Sequence, residues 1–251
     1  MNRTEIFETE LNYLKNEDMK TFAETILNNL PDYFFMDGAS STGKYHAPYA
    51  QGYGGLKRHV KAGCKFLNYA FQLEQYQEEF SEYEMDCAIV AFLAHDGFKL
   101  GTNNSRFSVH NHPTLCAEWI RTSEQLDNII DDDYRELIAQ CVETHMGQWN
   151  TNKRSKVILP KPSTRLQKMV HFADYLSSRP DISIDFSEDD GANYIPDPKD
   201  FKLSFGKYND YTLDQVYQVD AGYLKWGLQN NVGGAGTIFM IKDYLEKKEN
   251  N

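Results

Sequence analysis

The 251-residue sequence contains no long apolar run and no excess of positive charge. A membrane-spanning helix needs about 20 predominantly apolar residues in succession, and no stretch approaches that length. The first residues, MNRTEIFETELNYLKNED, are polar and acidic, unlike a signal or transit peptide. Lysine and arginine number 26 against 37 acidic residues, which gives a formal net charge of −11. We therefore expect a cytoplasmic protein without a membrane partner, and not one that coats duplex DNA through general positive charge.

Cysteine pairs and repeats are absent as well. The four cysteines form no Cys-x-x-Cys pair, and three of them fall within apolar helical patterns. We therefore interpret them as reduced core residues rather than as disulfides or zinc ligands. The four are Cys64, Cys87, Cys116 and Cys141. The hydrophobic content of 41% and charged content of 25% are ordinary for a globular protein, and the length allows one large domain or one domain with a small module.

Apolar residues recur at helical spacing through most of the first 180 positions, which predicts a mainly all-α protein. Pro31 ends the first pattern. Pro113 stands where a first helical residue is favoured, which would make His112 the N-cap. The predicted helices cover residues 5–30, a segment from about 56, residues 84–96, a segment from Pro113, and the stretches DDDYRELIAQCVETH and STRLQKMVHFADYLSSR.

The composition changes after residue 180. Residues 181–198 contain six acidic residues and no lysine or arginine, which is typical of a linker or a surface excursion. The stretch after them indicates a strand, a turn and two helices. We therefore predict a helical domain at 1–180, an acidic linker at 181–199 and a small α/β module at 200–251.

The stretch AIVAFLAHDGFKL, residues 88–100, places an imidazole and a carboxylate at the end of an apolar helix. A helix that is apolar on every side is buried, and buried charged groups need a partner or a metal. Taken singly, each metal-capable side chain on an inward face fits a satisfied core residue or a helix cap. Taken together, they indicate a metal site in the core of a helical bundle. The set is His59, His95, Asp96, His112, His145 and Asp174.

The order and context of these residues resemble the HD superfamily of metal-dependent phosphohydrolases over about residues 40–180. GGLKRH, which ends at His59, is similar to the context of the family's first ligand. AHDGFK is similar to its His-Asp motif, with Lys99 in the expected place. HNHPTLCAEWI, ETHMGQW and HFADYLSSR resemble the segments that supply the later ligands. The region SSTGKYHAPYAQGYGG resembles HD proteins of bacteria and their phages.

The resemblance implies a helical HD domain with a two-metal site. It assigns one metal to His59, His95, Asp96 and Asp174, and a second to His112 and His145, with Asp96 as the bridge. The ions would be two divalent transition metals, chosen from Mn, Fe, Ni, Co and Zn. They would create a hydroxide that attacks phosphorus in line. Lys99 would stabilise charge on the phosphoryl oxygens, so Asp96 and Lys99 are the predicted catalytic residues.

Other residues near this set are candidate substrate contacts or ligand supports. His171, three positions before Asp174, could orient a ligand from behind. His110 competes with His112 for one ligand role, and we favour His112 because the family's histidine directly precedes proline. The candidate substrate contacts, for which surface positions are an equally good explanation, are Lys44, His46, Arg58 and Arg179.

The segment FGKYNDYTLDQVYQVDAGYLKW resembles a short module at the C-terminal end of some DnaQ-like exonucleases. The alternative is a small packing or dimerisation unit. Residues 200–251 hold six lysines and seven acidic residues, so charge alone gives no argument for nucleic-acid binding. Tyr208, Tyr211 and Trp226 could stack on bases or fill the core of the module itself.

These features predict a metal-dependent hydrolase of a phosphodiester or phosphate ester, acting on a nucleotide or a single-stranded nucleic acid. The exonuclease-like module favours a nuclease or a cyclic-nucleotide phosphodiesterase. One alternative is a nucleoside mono- or triphosphate phosphohydrolase, and another is a non-catalytic nucleotide sensor. A third is a phage or host-takeover factor whose metal only stabilises the fold. The oligomeric state stays open, and a homo-oligomer is compatible with the sequence.

Overall fold

The computed structural model describes residues 1–40, 46–103, 105 and 107–249. Within this part of the chain there are thirteen α-helices and no strand, which confirms the prediction of a mainly all-α fold. None of the described helices has both the length and the apolar character needed to cross a bilayer. The helices are α1 (Arg3–Ile6), α2 (Glu8–Leu11), α3 (Glu17–Asn29), α4 (Tyr33–Met36), α5 (Gly55–Ala70), α6 (Glu74–Gln77), α7 (Glu82–Ala94), α8 (His112–Thr122), α9 (Asp132–Thr144), α10 (Arg165–Ser177), α11 (Asp190–Asn193), α12 (Leu213–Gln229) and α13 (Ala235–Glu249).

Helix α7 lies at the centre of the body and packs against α3, α5, α9 and α10. It begins with a capping box between Ser81 and Glu84, which satisfies backbone groups that a helix leaves free at its start. From Cys87 to Ala94 every residue is buried, because neighbouring helices surround it. All four cysteines of the chain are buried and unpaired, as predicted.

A close approach of α5 and α7 is set by a glycine. A Cβ at Gly63 would overlap the ring of Phe92, so only glycine lets this ring lie directly on α5. His59 lies one turn before Gly63, and His95 lies one turn after Phe92. The tight packing therefore brings these two imidazoles next to each other at the end of α7, with ring centroids 5.4 Å apart and planes at 59°.

The single helix predicted over residues 5–30 is instead three helices, α1, α2 and α3. A contact from α7 causes the interruption: the carboxylate of Asp86 accepts hydrogen bonds from the backbone N–H groups of Lys15, at 3.1 Å, and Asn16, at 2.9 Å. The side chain of Asn16 then caps the start of α3. A partner 70 residues away thus ends one helix and begins the next, which local spacing could not indicate.

The acidic segment predicted as a linker packs on the body as a surface excursion. Phe186 and Ala192 are buried against Ala62 of α5. The backbone of Gly191 lies so close to the carbonyl of Ile6 that a Cβ there would overlap it. The central part of this segment is therefore packed rather than extended. The division of the chain into three regions stays a prediction.

The C-terminal module is helical rather than α/β within its described residues. Where a strand was predicted, Lys202 and Thr212 form one isolated antiparallel bridge, which is too short to build a sheet. The module has a hydrophobic core of its own, separate from that of the body. Its buried members are Leu203, Leu213, Val216, Leu224, Met240, Ile241, Tyr244 and Leu245.

The module docks on the body through Asp37. The carboxylate of Asp37 accepts a hydrogen bond from the N–H of Gly236 at the start of α13, and a Cβ at Gly234 or Gly236 would overlap that carboxylate. An anion at a helix N-terminus interacts favourably with the helix dipole. Burial nevertheless raises the pKa of the Asp37 carboxyl to about 6. Nearby, the rings of Tyr53 and Phe239 pack with their centroids 4.7 Å apart.

Candidate metal centre

Six side chains from five helices meet at the C-terminal end of α7. His59 comes from α5, His95 and Asp96 directly follow α7, His112 begins α8, His145 directly follows α9, and Asp174 belongs to α10. Five of the six are buried, and the side chain of Asp174 is 19% exposed. These are the six residues that the sequence predicts as metal ligands.

Four of the six form a first group. The Nε2 atom of His59 lies 3.3 Å from Nε2 of His95 and 3.1 Å from Oδ1 of Asp174. The Nε2 atom of His95 lies 3.5 Å from Oδ2 of Asp96 and 3.7 Å from Oδ1 of Asp174. Ligand atoms that each lie about 2.1 Å from a shared ion are about 3–4 Å from one another, so these separations suit a single cation.

A second group lies on the other side of Asp96. Its Oδ1 atom is 3.0 Å from Nε2 of His112 and 3.8 Å from Nε2 of His145, and these two nitrogens are 3.3 Å apart. The Oδ2 atom of Asp96 faces the first group. The two oxygens of one carboxylate thus connect two sets of donors. His59, His95 and Asp96 on one side, and Asp96, His112 and His145 on the other, are each compact enough to hold a metal ion.

Three of the four imidazoles have their other ring nitrogen fixed by the main chain. The Nδ1 atoms of His95, His112 and His145 each lie 2.7 Å from the carbonyl oxygen three residues earlier. A carbonyl can only accept, so Nδ1 carries the proton in each ring and Nε2 of the neutral ring presents a lone pair. Lone pairs and carboxylate oxygens that converge without protons repel one another unless a cation lies among them.

The charge states in this centre follow from burial and from its neighbours. Burial lowers the pKa of His95 and lowers that of His145 to about 3, so both rings are neutral near pH 7. Burial alone would raise the pKa of Asp96, but Lys99 and the neighbouring imidazoles outweigh it and hold that pKa well below its ordinary range. At Asp174 the hydrogen bond with His59, together with the neighbouring His95 and His145, outweighs burial and lowers the pKa of the carboxyl. Neutral nitrogens and ionised carboxylates form the donor set that a divalent transition metal takes, so the residues fit the group.

The turn after α7 places Lys99 at the centre. A Cβ at Gly97 would lie 2.5 Å from a methyl group of Leu30 and 2.9 Å from the carbonyl oxygen of Ala94, so a larger residue here would have to displace its neighbours. The hydroxyl of Tyr33 donates to the carbonyl of Gly97 at 3.2 Å and holds the turn in place. Lys99 then folds back, and its Nζ atom forms an ion pair with Oδ2 of Asp96.

The start of α8 differs by one residue from the prediction. Helix α8 begins at His112 itself, with Asn111 at the N-cap and Pro113 in second position. The ring of His112 folds back onto the carbonyl of Val109, which directs Nε2 towards Asp96. The neighbouring His110 has a buried Nε2 without a hydrogen-bond partner, and no hydrogen bond or ion pair within the described ranges joins it to the centre.

Two other predicted residues lie against the centre. His171 donates from Nδ1 to the carbonyl of His145 at 2.7 Å and so braces this residue from behind. The ring of His46 packs edge-on against His59, with centroids 5.0 Å apart and planes at 82°. The Nδ1 atom of His46 is buried and has no hydrogen-bond partner among the residues that the structure describes.

The remaining predicted contacts are placed elsewhere or are not described. Arg58 donates to three main-chain carbonyls of residues 49–53, so its guanidinium braces the loop before α5. The guanidinium of Arg179 lies 4.1 Å from the ring centroid of Tyr175 and donates to the carbonyl of the same residue. Lys44 lies outside the described residues.

Two aromatic neighbours of the centre were not predicted as functional. Trp149 lies four residues after His145, and its ring stacks on Tyr175 with centroids 5.7 Å apart and planes at 9°. Tyr175 directly follows Asp174. The sequence drew attention only to the segment ETHMGQW, which contains Trp149. The contact between Trp149 and Tyr175 joins two separate segments, so no local pattern could indicate it.

Comparison with known families agrees with this geometry. Residues 64–179 match the family model described as HD domain, and residues 203–232 match the one described as Exodeoxyribonuclease X-like C-terminal. No significant match was found among curated proteins or solved structures. The HD match includes all of the converging side chains except His59. An HD domain implies a metal-dependent phosphohydrolase, and the His/Asp clusters could hold the metal. The bacterial or phage type stays a prediction.

Proposed function

We propose that this centre binds two divalent metals and hydrolyses a phosphodiester or phosphate ester in a nucleotide or a nucleic acid. One observation supports the proposal most directly: four imidazole Nε2 atoms converge with two carboxylates, and three of these rings already donate their N–H to the main chain. Such a set is unsatisfied without a cation. The HD match supports the same class of enzyme.

We assign His59, His95, Asp96 and Asp174 to one metal, and Asp96, His112 and His145 to the other. Two carboxylates and four imidazoles suit Mn, Fe, Co, Ni or Zn. Divalent metals bound here would supply Lewis acidity at a phosphoryl oxygen and lower the pKa of water. The hydrogen bond from His171 and the carbonyl contacts of the ring Nδ1 atoms keep the donors oriented.

Lys99 and His46 are the groups of the chain that would contact the substrate. The Lys99 side chain is 12% exposed, and its ammonium lies beside Asp96, where the reacting phosphoryl group would bind. There it would stabilise negative charge on the phosphoryl oxygens as that charge develops. The unpartnered Nδ1 atom of His46 offers one hydrogen bond next to His59.

We prefer a nuclease or phosphodiesterase activity to that of a nucleotidase. The support is the match of residues 203–232 to the C-terminal region named for exodeoxyribonuclease X, which links the chain with nucleic-acid substrates. The fold alone would not decide this, because one fold serves many substrates.

The test combines metal analysis with a matched pair of variants on α7. Purified protein is loaded with Mn²⁺ and assayed against nucleoside mono- and triphosphates, cyclic nucleotides and labelled oligonucleotides. Asp96→Asn is expected to lose at least one metal per chain and to lower turnover on the order of 10³-fold or more. Asp86→Asn alters another buried carboxylate of α7 that binds backbone N–H groups, so it should cost stability while metal content and turnover remain.

The other outcomes are informative. Undiminished turnover in Asp96→Asn would refute the assignment of the site. Tight nucleotide binding without turnover in the metal-loaded protein would favour the sensor alternative. A metal that raises the melting temperature of a protein with neither turnover nor nucleotide binding would indicate a structural role.

A further inference from the structure

The segment between His145 and Asp174 has an unusual charge pattern. In a chain of net charge −11, the 28 positions between these two proposed ligands hold six lysines and arginines and no acidic residue. The cations are Lys153, Arg154, Lys156, Lys161, Arg165 and Lys168. A block of one charge inside a protein of the opposite charge creates a local potential that attracts anions.

Four of these cations belong to one closed loop, residues 150–161, which we call the basic loop. The backbones of Asn150 and Leu159 pair at its base, with Leu159 N donating to Asn150 O at 2.9 Å, and the Asn150 side chain donates to Leu159 O at 3.0 Å. Leu159 is buried and anchors the loop. The tip carries Lys153, Arg154 and Lys156 as exposed side chains.

Most of this positive charge is not neutralised within the protein. Arg165 pairs with Glu79 at 3.1 Å. No ion pair involving the basic loop or Lys168 occurs in the described part of the chain. Next to its cations, the loop exposes Val157 at 41% and Ile158 at 71%.

An exposed tryptophan joins the basic loop to the metal centre. Trp149 is 44% exposed, directly precedes the loop and follows His145 by four residues. Its ring packs on two residues that flank Asp174 on α10: it is stacked on Tyr175, and its centroid lies 5.8 Å from that of His171. The ring therefore lies against the part of α10 that carries one proposed metal ligand, four residues after another in the chain.

We propose that the basic loop and Trp149 bind single-stranded nucleic acid and lead it to the metal centre, an inference that rests on the proposed function. Lys153, Arg154 and Lys156 would contact successive phosphates, and Trp149 would stack on a base. A positively charged surface with an exposed aromatic ring is the combination that holds single strands, because an unpaired base has a free face for stacking. In a duplex the bases are already stacked, so Trp149 would have no such partner.

The test measures binding apart from turnover. The metal-loaded full chain is titrated against a fluorescein-labelled phosphorothioate oligothymidylate of about 12 nucleotides, a length within the range of single-strand sites. This probe resists hydrolysis, and fluorescence anisotropy is followed at several salt concentrations. The variants are the triple change Lys153→Ser, Arg154→Ser and Lys156→Ser, and the single change Trp149→Leu. The matched control is the triple change Lys202→Ser, Lys242→Ser and Lys247→Ser, which removes three exposed lysines from the C-terminal module outside residues 203–232.

We expect the loop triple variant to weaken binding on the order of tenfold or more, and to reduce the slope of log affinity against log salt by about 2. Trp149→Leu should weaken binding about tenfold with little change in that slope, because stacking releases no counterions. The module triple variant should bind within about twofold of the unmodified protein. Circular dichroism would verify that each variant is folded.

Several results would overturn the inference. These are unchanged binding in both loop variants, an equal loss in the module variant, tighter binding of a duplex of the same length, and displacement by polyglutamate as effective as by unlabelled oligonucleotide. The last result would indicate an acidic protein partner. Hydrolysis of bis(p-nitrophenyl) phosphate by the unmodified protein tests the proposed function separately. Failure of that hydrolysis would leave the binding result intact, whereas hydrolysis together with unchanged binding in the loop variants would refute only the role of the loop.

Discussion

Two buried groups of ionisable side chains start from neighbouring positions on α5, and their charges are balanced in different ways. His59 belongs to the metal centre, whereas Lys61, two residues later, belongs to a cluster with Glu10 and Asp189. In that cluster, which we call the lysine cluster, Nζ lies 2.5 Å from Oε2 of Glu10 and 3.2 Å from Oδ2 of Asp189. It also donates to the carbonyl of Ile6 at 2.9 Å.

The difference shows which buried charges need something from outside the chain. The lysine cluster contains its own cation, with every proton of the ammonium directed at an acceptor, and it can fold as it stands. Two carboxylates share this one ammonium, and burial raises the pKa of Glu10 to about 7. The metal centre has six donors and, among the described residues, only Lys99 as a cation beside it, so we expect it to recruit positive charge from a bound metal.

The largest expected effect is that of chelation. Removing the metals should lower the free energy of unfolding by about 5 kcal/mol or more, because two ions present at a hundredfold or greater excess over their dissociation constants each contribute about 3–4 kcal/mol. Melting curves with and without a chelator measure this. Asp96→Asn should abolish most of the difference. If chelation does not change the melting temperature of the unmodified protein, the proposed difference between the two clusters is wrong, because the metal centre would then balance its own charge as the lysine cluster does.

The second effect concerns the lysine cluster. Lys61→Met leaves the buried carboxylate of Glu10 and the half-buried one of Asp189 without their cation, and should cost about 3–5 kcal/mol in urea denaturation. Metal content should stay the same, because the cluster and the centre hold separate cations. Lys65→Met, on the same helix but half-buried, is the control and should cost much less. A loss of metal in Lys61→Met comparable to that in Asp96→Asn would show that the two groups are one system.

The third effect is a pH dependence of the metal-free protein. The pKa of His145 is about 3 in the folded protein against an ordinary 6.5, and that of His95 is also lowered. Between pH 3 and pH 6.5 the unfolded chain therefore binds more protons than the folded protein. The contribution of these rings to the free energy of unfolding is complete above pH 6.5 and is lost as the pH falls towards 3. We expect a slope of about 1–3 kcal/mol per pH unit, measured by urea denaturation between pH 6 and 4. A flat profile would contradict the neutral state of these rings.

The smallest effect has the opposite sign and belongs to Glu10. Its folded pKa of about 7 lies above the ordinary 4.5, so the folded protein binds the extra proton between these values. This contribution to stability is present below pH 4.5 and is lost as pH rises through 7. Glu10→Gln should remove that decline, a change of at most about 1.4 kcal/mol per pH unit. Identical pH profiles for the variant and the unmodified protein would show that Glu10 is ionised throughout.

The centre was more predictable from the sequence than the surrounding fold. All six side chains predicted as ligands converge, because helical spacing places His59 and Asp174 on inward faces and the His-Asp pair at the end of α7. Their roles as ligands remain a proposal that the metal analysis tests. The helix expected at 5–30 failed because Asp86, a residue of another helix, binds the backbone in its middle.

Side-chain directions were the least predictable feature. Arg58 directly precedes the proposed ligand His59 on α5, yet its guanidinium binds the carbonyls of the preceding loop. The strand expected near Lys202 is only a bridge, because no second pairing follows it in the described residues. Trp149 lies close to Asp174 because α10 passes the end of α9. This proximity depends on the tertiary structure and could not be predicted from a local sequence pattern.

Asp37 lies at the seam between the helical body and the C-terminal module, so the protein does not divide cleanly at its acidic segment. A fragment that ends at residue 199 would carry a formerly buried carboxylate without the two glycines that enclose it. A fragment that begins at residue 200 would expose the uncapped start of α13 and the ring of Phe239. Dissection would thus produce two mutually complementary surfaces, and the halves should recognise each other in trans and reassemble when mixed.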